Sequence, residues 1–152
     1  MRLKRAGYSL VEMVIVSALI GVCASIALPR YMGSMQHYEI DLAAQRIVND
    51  LALAQSRANN TSTSVTMTFN AASSSYQIIG LPDFDRPATT YAVNLANNPY
   101  YVTLTSANFG GASQIVFNGY GIPTQGGTIV ITVGTLQHTI TVDASSGRAV
   151  IQ

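Results

Sequence analysis

The chain has 152 residues and a mass of 16.1 kDa, one ordinary domain with no room for two catalytic ones. Charged residues are only 10% of it, hydrophobic residues 48% and mean hydropathy +0.27, which together exclude a disordered chain. Lys+Arg 8 against Asp+Glu 7 leave a formal charge of +1, without the basic excess of a nucleic-acid binder, and the one cysteine, Cys23, excludes an intrachain disulfide.

The N-terminus comes first. Residues 1–7 carry Arg2, Lys4 and Arg5, three of the eight basic residues. A 21-residue run from Tyr8 to Leu28 follows, and its only charge is Glu12. As a helix it would span about 31 Å, close to the hydrocarbon thickness of a bilayer. A cleaved secretory signal would account for the small residues Ala24, Ser25 and Ala27. Against it, the run is longer than such a signal's apolar core and holds a carboxylate near its start. A lipoprotein signal would want a small residue before Cys23, and Val22 stands there. A retained transmembrane helix is the favoured reading. Basic residues ahead of it predict a cytoplasmic N-terminus, with the remainder outside the inner membrane. An ionisable side chain in a span is costly and marks a function and a partner. Glu12 near the cytoplasmic end would also reach the headgroups, so composition leaves both readings open.

Gly7-Tyr8-Ser9-Leu10-Val11-Glu12 resembles the processing site of type IV prepilins and type II secretion pseudopilins. In that family Glu stands fifth in the mature chain, and Glu12 is fifth counting from Tyr8. Gly21 is fourteenth and Pro29 twenty-second, positions where the family usually has Gly and Pro. Tyr8 stands where Phe or Met is commoner. The resemblance implies a leader of residues 1–7, cleavage between Gly7 and Tyr8 by prepilin peptidase, N-methylation of Tyr8, and assembly through Glu12, Gly21 and Pro29. It implies as partners other pilins or pseudopilins and an inner-membrane assembly platform. A free amine on Tyr8 would attract a neighbour's Glu12 far more strongly in low dielectric than in water. Pro29 lacks an N–H and disfavours helical geometry at Leu28, and Gly21 weakens the same stretch. That stretch is therefore expected to kink or extend when the subunit leaves the bilayer.

Beyond Pro29, Ile40, Ala44, Ile47, Leu51, Ala54 and Ala58 recur at spacings of 4, 3, 4, 3 and 4. This is the stripe of an amphipathic helix, with Arg46, Asp50 and Arg57 off it. The predicted helix runs from Ser9 to near Arg57, roughly 75 Å long. Asn59-Asn60-Thr61 is expected to stop it. Residues 8–28 are thus expected to form the transmembrane and assembly helix, 29–58 its amphipathic half, and 59–152 a globular head.

The head is rich in Thr, Ser, Gly, Asn, Val and Ile. Its predicted strands are Ser64–Phe69, Ser75–Ile79, Tyr100–Thr105, Gln114–Phe117, Thr128–Val133, Thr139–Val142 and Arg148–Ile151. A hairpin is expected around Gly134-Thr135. Leu81–Pro99, with three prolines and Asp83-Phe84-Asp85-Arg86, reads as irregular. The class is α+β and pilin-like, with a long N-terminal helix packed on a C-terminal antiparallel sheet. Leu51–Ala58, Phe117-Asn118-Gly119-Tyr120-Gly121-Ile122-Pro123 and Val142–Val150 resemble successive landmarks of the GspH/FimT domain.

Chemistry finds little purchase. His37 and Asp41 stand at i and i+4, but too few ligands join them for a metal site. His138 reads as an exposed strand residue. Asp83 and Asp85 read as a solvated loop before a Ca²⁺ site, since the EF-hand pattern is absent. There is no Gly-x-Ser-x-Gly elbow, phosphate loop or dinucleotide fingerprint. No catalytic residue, metal or cofactor is expected, and the chain reads as a structural subunit, a minor pilin or pseudopilin of a type IV pilus or type II secretion pseudopilus. The alternative is a FimT-like minor pilin that binds DNA during natural transformation. Arg148 would contact phosphate there, but Ala149 and Val150 follow it and supply no second cation, so nucleic acid is disfavoured as a partner. Loss of residues 1–7 takes Lys+Arg from 8 to 5 against 7 Asp+Glu, so the side-chain charge goes from +1 to −2.

Overall fold

The computed structural model describes residues 9–83 and 87–152. The Gly7–Tyr8 junction and Asp85 lie outside the described residues. The elements in chain order are α1 (Leu10–Thr61), β1 (Val65–Asn70), β2 (Ser75–Pro82), β3 (Thr90–Asn94) and β4 (Thr103–Asn108). They continue with β5 (Gln114–Phe117), β6 (Gly127–Val133), β7 (Leu136–Val142) and β8 (Ala149–Ile151). Two compact units divide the chain between Met35 and Gln36.

In the first unit the backbone stays helical through Gly21 and Pro29. The hydroxyls of Ser17 and Ser25 donate to the carbonyls of Val14 and Val22 at 2.9 and 2.8 Å. Each thereby satisfies its own donor on an otherwise apolar surface.

In the second unit the expected stripe is the buried face of α1. Ile40, Ala43, Ala44, Ile47, Leu51, Ala54 and Ala58 are all at most 1% exposed. The helix ends one turn later than the sequence predicts. Asn59 and Asn60 are both helical, and the Thr61 hydroxyl donates back to the Arg57 carbonyl at 2.8 Å. Ser62 then takes a left-handed φ of 52°, and its N–H reaches the Asn59 carbonyl at 3.4 Å. A left-handed residue just past the last turn stops the helix, rather than the asparagine pair.

All strand pairings are antiparallel, in two four-stranded sheets ordered β3-β2-β1-β5 and β4-β6-β7-β8. Period-two alternation turns Val65, Met67 and Phe69 of β1 inward, and likewise Ile129 and Ile131 of β6. With Ile140 and Val142 of β7 they join the α1 stripe in one core. Phe69 and Phe109 stack with ring centroids 5.7 Å apart, linking the first sheet to the end of β4. The β6–β7 hairpin forms as expected: Val133 pairs with Leu136 across two residues, and Gly134 takes φ 56°.

Two expectations need correction. Leu81–Pro99 is not wholly irregular, because Thr90–Asn94 forms β3 on the outer edge beside β2. Only Tyr91 of β3 is fully buried and its partner strand is bent between Ile78 and Pro82, so no clean alternation marks it. Strand β4 begins three residues later than predicted, since Tyr101 sits at φ 49° and breaks the extended run.

Alanine at 54 admits the sheets to the helix. Ala54→Leu is expected to cost about 1–3 kcal/mol by overpacking and to lower the melting temperature by several degrees. Ala52→Leu, on the exposed side of the same turn, is expected to change it by less than about 0.5 kcal/mol. Thermal unfolding followed by circular dichroism measures both.

Candidate functional site

The largest apolar surface belongs to the N-terminal part of α1. Leu10 is 80% exposed, Ile20 63% and Leu28 61%. An 18-residue window there has a mean hydropathy of 2.3 and none of it is buried. A helix apolar all round needs lipid or other helices as its surroundings. Glu12 lies exposed in the first turn of α1, and Gly21 has nothing within 4 Å of where a Cβ would stand. Pro29 cannot donate to the Ser25 carbonyl, so one helical hydrogen bond is missing inside this surface.

The head carries a buried polar cluster that sequence periodicity does not reveal. Asp50 lies off the apolar stripe yet is 5% exposed. The Tyr76 hydroxyl of β2 donates to its Oδ2 at 2.6 Å, and the Tyr91 hydroxyl of β3 reaches both carboxylate oxygens at 3.0 and 2.9 Å. Arg46, one turn earlier, donates from Nε to Oδ2 at 3.1 Å and from Nη2 to the Tyr91 hydroxyl. Its guanidinium also lies 5.9 Å from the Tyr91 ring centroid. Burial pushes the Tyr76 hydroxyl far above its ordinary range, and the Asp50 charge adds to the shift. Burial and the bond to Asp50 push Tyr91 up to about 12. Burial disfavours the Arg46 charge, but Asp50 and Tyr91 outweigh that and raise its pKa. The cluster ties α1 to the first sheet.

A second polar tie joins the two loops that resemble GspH/FimT landmarks. Gln55 Nε2 donates to the carbonyls of Gly121 and Ser146, both at 2.7 Å. Gly121 and Gly147 sit beside it at φ 73° and 71°, and a Cβ on Gly147 would stand 2.9 Å from Gln55 Nε2. Side chains cannot replace glycine there without moving the clamp. Asp143 shapes the second loop, accepting the hydroxyls and N–H groups of Ser145 and Ser146. Those hydroxyl donors, then the N–H groups, hold its carboxyl well below the usual range. Gln55 was legible only as part of the Leu51–Ala58 resemblance; nothing in its spacing marked it as a clamp.

The remaining expected residues are scattered. Arg148 is exposed, and the hollow it borders with Val48, Ala52 and Gln55 contains no second cation. His37 is exposed, while Asp41 pairs with His138 rather than with it. His138 Nε2 lies 2.8 Å from Asp41 Oδ1, and the imidazole is half-buried instead of exposed because β7 lies alongside α1. Asp83 donates its N–H to the Thr89 carbonyl at 2.9 Å. Among the described residues no three His, Cys, Asp or Glu side chains converge.

The family described as type II transport protein GspH matches residues 43–147. The chain belongs to the GspH family. The prokaryotic N-terminal methylation motif matches residues 2–28, so the two likenesses together take in both the apolar helix and the head. Two crystal forms of the Pseudomonas aeruginosa (strain PAO1) type IV minor pilin FimU share the fold. At 13% identity their TM-scores are 0.58 and 0.54; they cover 77% and 74% of this chain and 90% and 91% of FimU. No curated protein matches the chain. The GspH-family chain is a structural subunit of the minor pilin or pseudopilin kind, a family and fold of subunits that are not enzymes. Such subunits assemble with other pilins, and the apolar helix with its methylation motif points to membrane anchoring.

The tyrosine cluster sets a pH limit on the head. Both hydroxyls have folded-state pKa values raised above the ordinary 10.0, so the stability they contribute is full below pH 10.0 and is lost as pH rises toward about 12. Urea unfolding at pH 8 and pH 11 is expected to show this loss in the native chain. The Tyr76→Phe/Tyr91→Phe variant, less stable at pH 8, is expected to lose much less between the two.

Proposed function

We propose that the chain is made as a prepilin whose leader, residues 1–7, is removed by prepilin peptidase between Gly7 and Tyr8. Tyr8 is then N-methylated. Residues 8–28 hold the subunit in the inner membrane with its N-terminus cytoplasmic, 29–58 form the amphipathic half of the helix, and 59–152 form a periplasmic head. An inner-membrane assembly platform passes the subunit into a type IV pilus or a type II secretion pseudopilus. The observation that carries this reading is the methylation motif over residues 2–28 on a helix whose apolar surface is exposed from Leu10 to Leu28.

Within that scheme Glu12 pairs with the Tyr8 amine of a neighbouring subunit. In surroundings of low dielectric the attraction exceeds its value in water several-fold. The pair sets the register between subunits and lowers the cost of taking either charge out of the bilayer interface. Gly21 and Pro29 bracket the stretch that yields when the helix leaves lipid, because Pro29 already lacks one hydrogen bond and Gly21 contributes no side-chain packing. Nothing favours the DNA-uptake alternative: the hollow that Arg148 borders is lined by no second cation among the described residues, and affinity for nucleic acid grows with the number of phosphates neutralised.

Mass spectrometry of the mature N-terminus is expected to show loss of Met1–Gly7 and a methylated Tyr8. An intact Met1, or a cut near Ala27, would overturn the reading. Glu12→Ala is expected to leave membrane insertion intact and to cut incorporation into filaments about tenfold or more, as loss of at least ~1.4 kcal/mol per contact would do. Immunoblots of sheared filaments against membrane fractions measure the two quantities, and unchanged incorporation would remove the charge pair from the scheme.

A further inference from the structure

At the C-terminal end of α1 the chain holds an aromatic ring out into solvent on a rigid turn. Tyr120 is 84% exposed. Its turn is tightly built. Asn118 Oδ1 accepts the N–H groups of Tyr120 and Ile122, both at 3.0 Å, and Gly121 donates its N–H to the Asn118 carbonyl at 2.8 Å. Gln55 holds the Gly121 carbonyl from below. Gly119 presses against the helix terminus so closely that a Cβ there would stand 2.7 Å from the Ser62 carbonyl oxygen. A mobile loop would lose backbone entropy on binding; the backbone of this turn is already held.

Beside the ring lies a hollow of about 500 Å³ lined by Asn59, Ser62, Asn118, Gly119 and Tyr120. That volume lies within the range of small-molecule sites. The lining contains no acid and no base. Among the described residues, the Asn59 amide, the Asn118 Nδ2 and the hydroxyls of Ser62 and Tyr120 make no hydrogen bond within the protein. Elsewhere in the head, tyrosine hydroxyls such as those of Tyr76 and Tyr91 are tied down.

We propose that this hollow is a binding site for neutral glycans, with Tyr120 as the stacking platform. A pyranose ring offers an apolar C–H face to an aromatic ring and hydroxyls that both donate and accept, which amide and hydroxyl side chains match without charge. A nucleic-acid strand would stack equally well on Tyr120, but needs cations along its phosphates, and none line the hollow. The site stands apart from the membrane route, since it uses only the head.

Saturation-transfer NMR on the full chain in phosphatidylcholine nanodiscs tests this with chitotetraose, cellotetraose and maltotetraose as probes. Transfer to the ring C–H protons of at least one is expected, and the responding probe tells acetamido sugars from plain glucans. Tyr120→Ala is expected to weaken binding about tenfold. An unchanged melting temperature, which the exposure of the side chain leads one to expect, keeps a folding defect out of the comparison. Asn59→Ala is expected to reduce transfer without moving the Tyr120 turn. No transfer from any probe, or equal transfer from Tyr120→Ala, would overturn the proposal. So would a photocrosslinker at position 120 capturing a neighbouring pilin while the native chain shows no transfer, because the hollow would then be a contact between subunits.

Discussion

One face of α1 between Ile40 and Ala58 is apolar, and four of its seven buried apolar residues are alanine. Both sheets close on that face. The small alanines and the larger Ile40, Ile47 and Leu51 share one core with residues of both sheets. The strands themselves are short and could not bury enough surface alone. The helix is therefore the core element of the head, although its earlier residues look outward. A segment that serves packing at one end and exposure at the other must change its pattern along its length, and in α1 the exposed apolar residues give way to buried ones between Tyr38 and Ile40.

The polar ties decide what the apolar face leaves open. An alanine-rich stripe fixes distance but only loosely fixes which strand lies where, since many apolar side chains would fit it. Asp50 removes that freedom. Its carboxylate is buried and so must be matched by donors, and among the described residues Tyr76, Tyr91 and Arg46 supply them. A sheet shifted by one residue along β2 would turn Tyr76 to the other face and strand the charge. Gln55 acts on a smaller scale. One amide group reaches two carbonyls on loops that follow different sheets, so the loops keep a common geometry without a disulfide or metal.

The low charge of the chain takes its sense from this arrangement. Several of the ionisable groups described in the second unit are engaged: Asp50 with Arg46, Asp41 with His138, and Asp143 with its own turn. Thr, Ser, Asn and tyrosine make up much of the surface left over, which approaches other neutral surfaces without the repulsion that like-charged copies would meet. A subunit that must pack against relatives gains from that neutrality. Among the described residues, no second cation lines the hollow that Arg148 borders.

The N-terminal methylation motif was legible from sequence because its signals are local. A bilayer-length apolar run, one carboxylate, and a Gly and a Pro at fixed distances are read along the chain with no knowledge of folding. Helix α1 and most strands were legible for the same reason, since periods of 3.6 and 2 are local properties. The stop at Ser62 rather than Asn59, the existence of β3, and the split into two sheets were not. The stop rests on the left-handed backbone at Ser62, which no residue type there announces, and the other two depend on which strand finds which partner, since antiparallel pairing joins residues far apart in sequence, as β1 joins β5. The roles of Asp50 and Gln55 were hidden for a further reason. A polar residue beside an apolar stripe looks solvated until its hydrogen-bond partners are known, and the tyrosine donors to Asp50 and the carbonyl acceptors of Gln55 lie on strands and loops that only the tertiary structure brings over the helix.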